Sequence, residues 1–97
     1  MRVLIAAVVA FSLTVAAAHE KFKIVGTVAA LKKDEIAVKA IDGATYEIDM
    51  NETTAITDRN HRKIDRAYLV VGEKVVVQAL GHDMFDLEAF EIQLLER

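Results

Sequence analysis

Between Lys21 and Met50 apolar residues recur mostly at every second position, in runs separated by the polar stretches Lys32-Lys33-Asp34-Glu35 and Asp42-Gly43. A period of two belongs to strands with one buried face; a helix of this pattern would bury no single face. Phe22, Ile24, Gly26, Val28 and Ala30 form the inward set of a first strand. Lys21, Lys23 and Thr27 face out, with Val25 as the apolar exception, and Gly26 marks a bend or bulge. Ile36, Val38 and Ala40 continue as a second strand. Asp-Gly between two alternating runs predicts a two-residue hairpin turn with Gly43 at positive φ. The third strand then carries Ala44, Tyr46, Ile48 and Met50 inward, and Thr45, Glu47 and Asp49 outward. Strands one to three make a meander.

The second half is less regular. Thr54 to Thr57 allow a brief pairing, and Asp58 to Lys63 read as a polar tip. Asp65 is placed to cap a short helical turn over Arg66 to Leu69, its carboxylate accepting from free backbone N–H groups. Gly72 ends that segment. Glu73 to Leu80 reads as a fourth strand, Gly81 to Asp86 as a loop, and Leu87 to Leu95 as a fifth strand with Phe90, Ile92 and Leu94 on one face. Five strands, one helical turn and no period-3.6 helix predict an all-β fold. A small five-stranded OB-like barrel is the first expectation, and an SH3-like barrel the alternative. Closure removes sheet edges, which matters in a chain without proline to guard them.

The first eighteen residues read as an address. Arg2 is the only charge ahead of an apolar run from Val3 to Val15, broken only by Ser12 and Thr14, and Ala16-Ala17-Ala18 follows. That pattern predicts a secretory signal peptide over 1–18, cleaved after Ala18. Val3 to Ala18 would span about 24 Å as a helix, short of a hydrocarbon core of about 30 Å, so no permanent membrane anchor is expected. The expected mature protein is then one domain, 19–97, periplasmic or secreted.

Composition removes several chemistries. There is no cysteine, so disulfides and thiolate metal or catalytic sites are excluded, and the only serine, Ser12, lies in the expected signal peptide. Removing Arg2 from the 12 Lys and Arg leaves 11 against 15 Asp and Glu, a net charge of −4. Such a balance does not suit phosphate-driven nucleic-acid binding. No glycine-rich phosphate loop, His-Glu metalloprotease motif or nucleophile elbow occurs, and the chain is expected not to be an enzyme.

Gly26-Thr27-Val28, the Asp42-Gly43 hairpin and the passage from Tyr68 to Val77, with its Leu69-x-x-Gly72-x-x-Val75-x-Val77 spacing, occur in a characteristic order. In this order the chain resembles a family of small exported bacterial domains of unknown function with an OB-like barrel. The resemblance covers residues 22–95, implies the fold and export, and transfers no catalytic or binding residue. The chain is also similar, more distantly, to small periplasmic copper carriers, which imply a soft site of one histidine, two methionines and a stacked tryptophan. It departs from them in having no tryptophan and no methionine two residues from Met50.

Imidazole and thioether donors suit copper. His82 and Met84 are two residues apart; His61, Met50 and His19, the expected new N-terminus, complete the candidate set. Two functions follow as expectations. One is an exported, non-enzymatic binding module for an envelope protein or small ligand. The alternative is a periplasmic carrier of copper or another metal ion on His19, His61, His82, Met84 and Met50. A basic stretch (Arg59, His61, Arg62, Lys63, Arg66) and an acidic one (Asp83, Asp86, Glu88, Glu91, Glu96) offer charge for an anion, a partner or a neighbouring copy.

Overall fold

A computed structural model of the chain describes residues 20–97; the expected signal peptide and His19 lie outside them. Five strands form the barrel: β1 (Glu20–Leu31), β2 (Glu35–Ala40), β3 (Thr45–Asp49), β5 (Lys74–Gly81) and β6 (Leu87–Leu94). A sixth, β4 (Ala55–Thr57), lies against β6, and the one helical element is a 3-10 turn over Arg66–Tyr68. Around the barrel the order is β1–β2–β3–β6–β5 and back to β1. All contacts in that circuit are antiparallel except β3 with β6, which closes it in parallel through the single pair Asp49↔Glu88. This closed, mixed circuit agrees with the OB-like expectation. Among the described residues no helix is long and apolar enough to cross a membrane.

The inward residues of the meander fill the core. Ile24, Val28, Ile36, Val38 and Ile48 are buried together with Val75, Val77, Ile92 and Leu94, and Phe22 and Tyr46 pack half-buried against them. β1 serves two partners, pairing over Glu20–Thr27 with β5 and over Gly26–Leu31 with β2. Gly26 is common to both ladders. A Cβ there would overlap the Lys39 carbonyl oxygen and stand 2.8 Å from the Ala40 Cα, so only glycine lets the two backbones approach.

Three local expectations are corrected. The hairpin loop has three residues, not two: Gly43 N–H donates to the Ala40 carbonyl (2.9 Å) and Ala40 N–H to the Ala44 carbonyl (2.8 Å). Ile41, Asp42 and Gly43 therefore form the loop, with Gly43 at φ 91° as its left-handed closing residue. In β6 the pairing jumps from Gln78↔Glu91 to Ala79↔Ala89, so Phe90 is the extra residue of a bulge and turns outward. Leu87 and Ala89 fill the inward positions before the bulge, and Ile92 and Leu94 those after it. A similar jump between Val28 and Ala30 sends Ala30 out to solvent.

The connection from β3 to β5 carries what was least regular in the sequence. Asp65 caps the 3-10 turn as expected, Oδ1 accepting from Ala67 N–H at 2.9 Å. The turn buries none of its own residues but delivers Leu69, 3% exposed, to the core.

Candidate functional site

Where the β1–β2 turn meets the segment after β3, the surface opens into a groove of about 690 Å³. Its lining comes from three stretches of chain: Leu31 to Asp34, Met50 to Glu52, and Arg66 with Leu69. Met50 N–H donates to the Asp34 carbonyl (2.9 Å) and fixes the first two stretches together. Arg66 fastens the third, its guanidinium donating to the carbonyls of Asn51 (2.8 Å) and Thr54 (3.3 Å). Thr54, itself buried, anchors this loop to the barrel: its hydroxyl donates to the Ala89 carbonyl (2.8 Å) and accepts from Asn51 N–H (3.0 Å).

The groove is apolar below and charged above. Leu31, Met50 and Leu69 supply the apolar surface, and Lys32, Lys33 and Arg66 stand with Asp34 and Glu52 around it. Lys32 reaches Glu35 at 3.8 Å, whereas Lys33 makes no ion pair among the described residues. Arg66 donates to neutral carbonyls and makes no ion pair among the described residues. Volume, apolar floor and a few polar groups are the ordinary attributes of a ligand seat.

A second cluster lies on the outer side of β6. Glu91, with 18% of its side chain exposed, accepts through one oxygen from the Thr57 hydroxyl (2.7 Å) and meets His61 Nδ1 at 2.8 Å. Gln93 Nε2 lies 3.4 Å from His61 Nε2 and donates to the Arg59 carbonyl (3.0 Å). Burial pushes the Glu91 carboxyl upward, but the hydrogen bonds from Thr57 and His61 and the imidazole charge outweigh it and hold the group below its ordinary value. Asp58, at the start of the same loop, is also held low. The Arg62 N–H is the main cause; desolvation, next in size, opposes it, and the Asn60 N–H and the charges of Arg62 and Arg59 add to the lowering.

A smaller hollow of about 190 Å³ lies beside the β2–β3 hairpin, lined by Ile41, Tyr46, Met84 and neighbours. The Asp42 carboxylate accepts the Tyr46 hydroxyl at 3.2 Å and, with burial and its own charge, raises the Tyr46 pKa.

No family model matches the chain, and no match was found among curated proteins or solved structures.

The candidate metal ligands are not gathered in one place. Met50 lies in the groove, His61 against Glu91, and Met84 beside Tyr46. His82 shares the loop of Met84, but its Nδ1 meets Asp86 Oδ2 at 3.0 Å, while Met84 packs toward the core. His19 lies outside the described residues. Among the described residues, no three His, Cys, Asp or Glu side chains come together as a metal site. Sequence reading missed the groove, whose three stretches are separated by up to some forty residues. It also missed the pairing of His61 with Glu91, thirty positions apart.

Proposed function

We propose that the chain is an exported, non-enzymatic binding module and that the groove between Leu31, Met50 and Leu69 is its binding seat. The observation that carries this is an apolar floor held open at the surface between Lys33 and Arg66, neither of which makes an ion pair among the described residues. Two cross-links, Met50 to Asp34 and Arg66 to Asn51, hold the walls before anything binds, so little ordering cost falls on association. The charge favours an occupant that combines an apolar body with a negative group. The proposal of a non-enzymatic role is supported by the nucleophile inventory: outside the expected signal peptide the chain offers no serine or cysteine.

The test uses an apolar anion, anilinonaphthalene sulfonate, followed by amide chemical shifts. Shifts concentrated at Leu31, Lys33, Asn51 and Leu69, and weakened in Lys33→Glu, are expected. Shifts scattered over the barrel, or none, defeat the reading. Export is tested separately by the mass of the purified native protein, which is expected to begin at His19.

A further inference from the structure

Phe85 is 92% exposed at the tip of the β5–β6 loop, the most exposed large apolar side chain among the described residues. The loop holds it there in a defined shape. Gly81 pairs with Leu87 across its base, Asp83 Oδ1 accepts from Phe85 N–H (2.8 Å), and Asp86 N–H reaches the Asp83 carbonyl (3.3 Å). Phe85 is flanked by Asp83 and Asp86, one or two residues away on either side. It takes no part in lining the groove of its own chain.

We propose that the groove receives this loop from a second copy of the chain, with Phe85 as the anchor. The inference rests on the groove being the binding seat, and it names the occupant. Charge complementarity selects it: an apolar ring between two aspartates meets an apolar floor around which Lys32, Lys33 and Arg66 outnumber Asp34 and Glu52. An aromatic ring supplies a large contact area at small entropic cost, and here its loop is already ordered. A loop seated in a groove falls below the roughly 1,200–2,000 Å² of stable interfaces, so the association is weak and concentration-dependent.

Sedimentation of the purified native protein from about 10 µM to 1 mM reads it, a range suited to weak complexes. The parent is expected to sediment faster as concentration rises. Phe85→Ser, and separately Lys32→Glu with Lys33→Glu, are expected to stay monomeric with at least tenfold weaker association. Mixed one to one, these two variants are expected to form a mixed complex, because one keeps an intact groove and the other an intact Phe85. A parent that is monomeric throughout, a Phe85→Ser protein that associates like the parent, or a mixture that stays monomeric overturns the proposal. If the parent stays monomeric while the apolar anion still marks the groove, the second copy is wrong and the seat stands. If neither is seen, both fall.

Discussion

His61 occupies in its hairpin the backbone position that Gly43 occupies in the β2–β3 hairpin. In each, the residue donates its N–H three positions back, to Asp58 in one case and Ala40 in the other. In each, a second bond closes the loop around it, Asp58 N–H to the Arg62 carbonyl or Ala40 N–H to the Ala44 carbonyl. Both residues have positive φ, 63° for His61 and 91° for Gly43. Glycine takes this conformation freely; histidine is strained in it, and its compensation here is the bond to Glu91.

That trade can be measured. His61→Gly is expected to destabilise the parent, because it leaves the mostly buried Glu91 carboxylate with Thr57 alone. In a Glu91→Gln background the same change is expected to be neutral or stabilising. A coupling of about 0.5–3 kcal/mol between the two positions, from denaturant unfolding of the four proteins, is the expected result. Coupling near zero means the contact does not offset the strain.

Acid should act on the same loop. The Glu91 and Asp58 carboxyls are both lower in the folded protein than in the free chain, where they titrate near 4.5 and 3.8. Groups depressed in this way contribute stability that is complete above those values and is lost as pH falls through the folded ones. Unfolding midpoints are therefore expected to drop below about pH 4.5, and Glu91→Gln should flatten that limb while lowering stability at pH 7. Amide exchange at Asn60 and Arg62 should rise before exchange in β1 or β5. An acid limb unchanged by Glu91→Gln contradicts this assignment.

The two loop glycines should respond in the reverse of their sequence-based order. The length of the Gly81–Asp86 loop suggests that Gly81→Val is the milder change. A Cβ on Gly81, however, would overlap the Asp86 carbonyl oxygen and stand 2.9 Å from its carbon, whereas one on Gly43 meets nothing within 4 Å. Gly43→Val suffers only its positive φ, about 1–3 kcal/mol. Gly81→Val must displace backbone and should cost more, with thermal unfolding of both variants as the measurement.

Phe90 and Ile92 separate the bulge from the regular ladder. Ile92 is fully buried and Phe90 is 40% exposed. Ile92→Ala should cost about 2–5 kcal/mol, and Phe90→Ser under about 1 kcal/mol. Equal losses would return Phe90 to the core and remove the bulge.

Those residues also mark what the sequence could convey. Strand identity was legible because each inward set, such as Ile36, Val38 and Ala40, is local and periodic. Period two cannot count a bulge: one added residue between Ala89 and Glu91 reverses parity, and Phe90 was assigned inward on a pattern that holds only beyond it. Asp42-Gly43 announced a turn with a left-handed glycine, but loop length is set by which carbonyl receives the Gly43 N–H. The groove had no local signature, since Leu31, Met50 and Leu69 become neighbours only after closure. Each reads alone as an ordinary core residue.

The double pairing of β1 also has a consequence in time. Its second half finds β2 almost at once, but its first half waits for β5, roughly fifty residues later in the chain. Until β5 is in place the edge from Glu20 to Val25 has no partner. A bare edge of that length invites pairing with other nascent chains. Glu20, Lys21 and Lys23 all lie on the waiting stretch. Charge at these exposed positions lies where it opposes such pairing before the barrel closes.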